Sequence, residues 1–271
     1  MLHEFEYSGP VTRQELHELL ASYGKNAKLM AGGTDLIVNL RAGVAKPILV
    51  IDVKKIPEFH GIGFTDLEGL VIKPAVTINE LLADRKVNEV FPLLAECARD
   101  LASYQIRNRA TVIGNVVNAS PCSDMAPALL CLGARAVITS KRGEREIPFA
   151  QFFKGVKKTI LAEDELLEKI IVPASSAGAR GSYRKLKRIA GHDLGIVGVA
   201  LMKKDGQIRL GISSSAPTPV LVEGLREADG EAKVVAAAMA AISPISDVRC
   251  SKEYREFMVE VFVKRLLKEV K

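Results

Sequence analysis

The run KLMAGGTDLIVNL at 28–40 constrains this chain most: two adjacent glycines separate a short apolar strand from a helix opening on Thr34 and Asp35. Glycine has no Cβ, so main chain can press close to such a turn, and the N–H groups that begin the helix lack intrahelical partners. Those donors, at the positive end of a helix dipole, are an arrangement that receives phosphate. The pattern is not GxGxxG, and no GxxxxGK[ST] occurs, so neither the Rossmann nor the P-loop fingerprint is met. Taken alone, a tight strand-to-helix connection is the better reading. Upstream, residues 12–23 read as a helix, with Thr12 and Glu15 at capping-box spacing, Leu16, Leu19, Leu20 and Tyr23 on one face, and Gly24 at its end. Downstream, Gly43 closes the second helix and PILVIDV at 47–53 reads as a strand, which completes a strand, glycine turn, helix, strand unit.

From about residue 57 strands alternate with short helices: GLVIKPAVT, then NELLADRKV, then FPLLAECARDLAS as a helix. The stretch RATVIGNVVNASPCSDMAPALLCLGARAVIT predicts a strand around 111–117, a polar turn at 118–123, a helix over 124–132 and a strand over 134–139. Thr111, Asn115, Asn118, Ser120, Ser123 and Asp124 cluster here around Gly114 and Pro121. So many donors and acceptors between apolar runs suit a ligand with several polar groups, whereas an exposed loop with Asp124 as a helix cap is the plainer alternative. LLEKIIVP at 166–173 reads as a strand stopped by Pro173, and the small, flexible residues 174–181 mark a domain boundary. Strand-like runs follow at 182–190, 195–202 and 207–214, then a helix over 231–242 and an amphipathic stretch from about 251. Strands first and helices afterwards is an α+β order.

With 271 residues, 48% hydrophobic and 26% charged, the chain is long enough for about two globular domains. The longest apolar run, LGIVGVALM at 194–202, is far short of the roughly 18 residues a membrane span needs, and MLHEFEYSGP shows no basic region followed by an apolar core, so neither a membrane span nor secretion is expected. Cys97, Cys122, Cys131 and Cys250 form no CxxC pair, which argues against a metal site and for free thiols in a cytoplasmic protein. The four histidines show no metal-ligand spacing, and adjacent His192 and Asp193 suit a turn better than an acid–base dyad. A net charge of +6 raises nucleic acid as a partner, since Arg180, Arg184, Lys185, Lys187 and Arg188 form a basic stripe. Only Tyr183 interleaves that stripe, so the stacking platform of a single-strand binder is missing and no nucleic-acid partner is expected. Cys122 reads as a small filler in the polar turn, Met125 and Cys131 as helix core, and Ser213, Ser214 and Ser215 as an anion nest or a strand-end turn.

The motifs AGGTDL at 31–36, TVIGN at 111–115, ASPCSDMAPALLCLGA at 119–134, LLEKIIVP at 166–173, SYRKLK at 182–187 and GISSSAPTPV at 211–220 span nearly the whole chain in order. Together they resemble the FAD-binding (medium) subunit of the molybdenum hydroxylases, the xanthine dehydrogenase and carbon monoxide dehydrogenase type. That resemblance implies an α+β fold: a two-part FAD-binding domain of the PCMH/vanillyl-alcohol-oxidase type over 1–175, with subdomains about 1–55 and 56–175, then a C-terminal antiparallel sheet with helices over 178–271. It places FAD contacts on Leu29, Met30, Ala31, Gly32, Gly33, Thr34, Asp35 and Leu36, and on Thr111, Val112, Ile113, Gly114 and Asn115. Asp124, Leu167 and Lys185 fall on further contact positions, with Leu101 a weaker candidate. The one departure is Ile113, where the family usually carries glycine.

The resemblance further implies non-covalent FAD, with the molybdenum cofactor on a large molybdopterin subunit and [2Fe-2S] clusters on a small subunit. The subunit would take electrons from those clusters and pass them to an acceptor such as NAD, with no catalytic acid or base of its own. A stand-alone FAD-dependent reductase of the same flavin fold, similar to the enzyme that reduces UDP-N-acetylenolpyruvoylglucosamine, is the alternative. A degenerate interaction subunit that has lost its flavin is the third.

Overall fold

The structure, a computed structural model, describes residues 3–271. Its first sheet is three-stranded and parallel, with Leu49–Asp52 between Glu6–Ser8 and Ala27–Met30. The middle strand is buried along its length, as a parallel strand covered on both faces must be. The helix Arg13–Tyr23 lays Leu16 and Leu20 into the core beneath that sheet. Thr12 Oγ1 accepts from the Glu15 N–H at 3.2 Å, and Gly24 at φ 48° ends the helix, as the spacing predicts. The helix Leu36–Arg41 follows the double glycine after a turn at Thr34 and Asp35.

The second sheet is antiparallel, with strands in the order Ile62–Thr65, Gly69–Ile72, Leu166–Val172, Arg135–Ser140, Gly143–Pro148. Between its second and third strands in chain order come the short helices Ile78–Ala83, Arg85–Val90, Pro92–Arg99, Tyr104–Arg107, Val112–Val117 and Ala126–Cys131, which fill the largest core. One expectation fails here: residues 112–117 are helix, not strand. Thr111 Oγ1 caps that helix by accepting from Gly114 N–H at 2.9 Å, and Val112, Ile113 and Val116 share its buried side. A β-branched run reads as strand by propensity, but helical burial spacing and a cap decide the matter.

The C-terminal sheet is an antiparallel meander of Arg180–Leu186, Val197–Lys204, Gln207–Ser213 and Val220–Arg226. Its first strand stops at Leu186 rather than 190, because Arg188 and Asp193 pair at 2.9 Å and close residues 188–193 into a loop. The fourth strand has no counterpart in the sequence reading; Pro217 and Pro219 precede it, and Gly224 interrupts it at φ 79°. The helices Gly230–Ala241 and Lys252–Glu269 cover one face with a core of their own. The opposite face packs on Pro92–Arg99 and Ala126–Cys131, so Tyr183, Ala200 and Met202 belong to the large core. This double cover explains why Val197–Lys204 lacks the in-out alternation usual in an antiparallel strand.

The contact is tight enough to need glycine: a Cβ on Gly211 would stand 2.2 Å from the Pro127 carbonyl oxygen. Beside it Cys131 Sγ lies 3.6 Å from the carbonyls of Ala200 and Arg209, and burial pushes this thiol up to about 12. Among the described residues, no helix is long and apolar enough to cross a membrane.

Candidate functional site

The double-glycine turn lies against residues 109–110. A Cβ on Gly32 would fall 1.9 Å from the Arg109 carbonyl oxygen, so only glycine permits this approach. Gly33 takes φ 72°, the left-handed region, and its carbonyl accepts from Ile37 N–H at 3.0 Å. Among the described residues, the N–H groups of residues 32–36 find no hydrogen-bond partner within the chain. Buried main-chain donors are nearly always paired, so a run of free ones along a half-exposed glycine turn is open to an anion. Lys54 holds the base of the turn, donating to the Ala31 carbonyl at 2.9 Å and to Asp52 at 2.6 Å.

The second turn sits immediately alongside, because Ala110 and Val112 bond the segment 76–78 while Arg109 and Ala110 back Gly32. Thr111, Val112 and Ile113 are buried, and Gly114 is exposed. Ile113, where the resemblance suggests glycine, turns its side chain into the core at 5% exposure, so it does not fill the face that Gly114 presents. A Cβ on Gly114 would meet the capping hydroxyl of Thr111 at 2.7 Å. Asn115 Oδ1 accepts from Ser123 Oγ at 2.7 Å and from Met125 N–H at 3.3 Å, which shapes the polar turn that follows. Asp35, exposed, accepts from Asn118 Nδ2 at 2.9 Å, so the two turns are joined by side chains as well.

Leu29 and Met30 end the strand leading into the first turn and are half-buried, as are Ala31, Thr34 and Leu36. Asp124 and Lys185 are brought together, though not with the glycines: Lys185 Nζ lies 2.8 Å from Asp124 Oδ1 with its side chain only 1% exposed. Lys185 also donates to the Asp100 carbonyl at 3.1 Å, and Tyr183 donates to Asp124 at 3.3 Å. Burial pushes the Asp124 carboxyl above its usual range against the opposing pull of Lys185, and burial lifts the Tyr183 phenol well above its ordinary value. Leu167 and Leu101 are core residues of the second unit.

The basic stripe is neutralised in place. Arg180 faces Glu227 at 3.7 Å, Arg184 pairs with Glu269, Lys187 with Asp100 at 2.7 Å and Arg188 with Asp193 at 2.9 Å. Glu227, Glu269 and Asp100 come from distant segments, which local sequence cannot reveal, whereas Asp193 lies only five residues from Arg188. His192 is exposed while Asp193 is taken by Arg188, so the two form no dyad. Cys122 Sγ accepts from Arg249 Nη1 at 3.2 Å in the polar turn. Ser214 takes φ 65° at the strand end, and the buried hydroxyls of Ser214 and Ser215 lack partners. Among the described residues, no group of three or more His, Cys, Asp or Glu side chains is placed to hold a metal ion. Sequence reasoning missed the roles of Lys54 and of the Arg109 carbonyl, since neither residue belongs to a motif and each acts on another segment.

Comparison with known proteins bears on this geometry. A family model described as the FAD binding domain in molybdopterin dehydrogenase matches residues 3–175, and one described as the CO dehydrogenase flavoprotein C-terminal domain matches residues 181–270. The carbon monoxide dehydrogenase medium chain of Hydrogenophaga pseudoflava is 36% identical over 277 residues, covering 97% of this chain and 96% of that one. The xanthine dehydrogenase FAD-binding subunit of Escherichia coli O157:H7 is 29% identical over 277 residues, covering 97% and 94%. In the solved structure of carbon monoxide dehydrogenase from Hydrogenophaga pseudoflava lacking the Mo-pyranopterin moiety, one chain matches with a TM-score of 0.92 at 32% identity, covering 100% of this chain and 98% of that one.

Proposed function

This chain belongs to the family of FAD-binding medium subunits of the molybdenum hydroxylases, and from that premise we propose that it holds one non-covalent FAD between its two glycine turns and carries electrons from [2Fe-2S] clusters on a small partner subunit toward an acceptor such as NAD. The molybdenum cofactor belongs, in this reading, to a large partner subunit. The observation that carries the FAD assignment is the run of unpaired N–H groups at 32–36, on a turn pressed so closely against the Arg109 carbonyl that Gly32 can carry no Cβ. These residues fit an anionic diphosphate: the donors are main-chain and uncommitted, and the Ile113 side chain is buried in the core. When bound, FAD supplies the exchange between single-electron and paired-electron transfer.

The chain's own part is to bind and orient. Gly32, Gly33 and Thr34 would line the diphosphate with Gly114 and the main chain of Ile113 opposite, while Leu29, Met30, Ala31 and Leu36 flank it and Thr111 and Asn115 fix the second turn. Asp124, Lys185 and Leu167 are enclosed, and their proposed task is to form the wall behind the cofactor. The test is reconstitution of the purified full chain with FAD, followed by flavin fluorescence. Saturation at one FAD per chain is expected. A colourless preparation that takes up no FAD would sink this reading and support the degenerate interaction subunit. Co-purification with iron and molybdenum from the native source separates the subunit from a stand-alone reductase, and reduction of the bound flavin by NADH tests the acceptor.

A further inference from the structure

Three segments remote in sequence meet beside the first glycine turn. Asn118 Nδ2 donates to Asp35 Oδ1 at 2.9 Å, and Lys157 Nζ donates to Asn118 Oδ1 at 2.9 Å. The main chain doubles the link, since Lys157 N–H donates to the Ala119 carbonyl at 2.9 Å. Ala119 at φ 45° and Lys157 at φ 58° both occupy the left-handed region, which non-glycine residues hold only where their surroundings over-determine it. Ala119 is buried, but Asp35 and Lys157 are exposed and Asn118 half-buried, so core packing does not account for the side-chain strap.

The chemistry of Asp35 does. An aspartate at the cap position just before a helix ordinarily turns its carboxylate onto the free N–H groups of the first turn. Here Asp35 makes no such bond, and its carboxylate is drawn to Asn118 instead. The N–H groups of residues 32–36 are left open for a ligand. A carboxylate at large beside them would both compete for those donors and repel a diphosphate.

We propose that Asn118 and Lys157 are positioning residues for the cofactor: together they hold the Asp35 carboxylate off the glycine turn, and Lys157 offsets its charge. The inference rests on the reading that this turn holds the FAD diphosphate. The experiment is a fluorescence titration of the FAD-free full chain with FAD, in wild type, Asn118→Ala, Lys157→Met, Lys157→Arg and the pairs Asn118→Ala/Asp35→Asn and Lys157→Met/Asp35→Asn. Asn118→Ala and Lys157→Met should each raise the Kd about tenfold, the scale of one uncompensated like charge at a partly exposed site. Lys157→Arg should bind like wild type, and removing the Asp35 charge should restore each weakened variant to within about twofold. A merely structural role for Asn118 would show weakening that Asp35→Asn does not rescue, and this result, or unchanged affinity in both single variants, overturns the proposal. If Asn118→Ala does not fold, the Lys157→Met pair decides the matter alone. Failure of the wild-type chain to bind FAD would overturn the cofactor reading and the clamp with it; binding without rescue would overturn the clamp only.

Discussion

Gly32 and Gly211 face the same steric demand, with a Cβ placed 1.9 Å and 2.2 Å respectively from a main-chain carbonyl oxygen. Their surroundings differ. At Gly211 the C-terminal sheet closes on the helix Ala126–Cys131, the neighbouring thiol is buried, and Asp124 and Lys185 pair across the same boundary. At Gly32 the close approach ends at a half-exposed turn whose N–H groups have no partner. Glycine alone therefore does not mark a site. Its neighbours' main-chain hydrogen bonds do: where the strand's main chain is paired the glycine seals, and where a run of N–H groups is free it presents.

The contrast can be broken from the sealed side first. Lys185→Met leaves Asp124 enclosed without its cation, and a loss of about 3–5 kcal/mol is expected. The folded-state pKa of Asp124 lies above its ordinary 3.8, so the stability contributed by its protonated form is full below that value and is lost as pH rises through the folded pKa. Without Lys185 that folded pKa climbs further, so the variant should lose most at neutral pH and recover part of the loss on acidification. Melting curves at neutral and mildly acidic pH check the sign. Gly211→Ala drives a methyl into the Pro127 backbone, at about 3 kcal/mol. An unchanged melting temperature there would mean that the two units are not pressed together as described.

On the open side the order of effects reverses. Gly33→Val forces a branched side chain into φ 72° with its Cβ 3.3 Å from Ile37 Cγ1, at about 1–3 kcal/mol of stability. FAD binding should disappear altogether. Full FAD stoichiometry in that variant would show that the turn is a connection and nothing more.

What could be read in advance follows the same division. The Thr12 cap, the Gly24 stop and the strand ending at Pro173 are local devices, and each stands where its residues place it. The glycine turns were legible as motifs. The helix at Val112–Val117 was not, since Val-Ile and Val-Val favour a strand until the large core claims one side of them. The ion pairs that quench the basic stripe bridge as many as 87 residues along the chain, as between Lys187 and Asp100. The strap from Lys157 to Asn118 to Asp35 joins positions 39 and 83 apart. Such partners become visible only once the chain is folded.

The double cover of Val197–Lys204 has a consequence for how the protein is made. The helices Pro92–Arg99 and Ala126–Cys131 are synthesised before the sheet that covers them, and at roughly 5–20 residues per second that sheet emerges seconds later. Until it arrives, the nascent polypeptide displays an oily surface on the ribosome. Its last strands and helices act as a closing plate, so a stalled or truncated translation product would be a client for chaperones rather than a working half-protein.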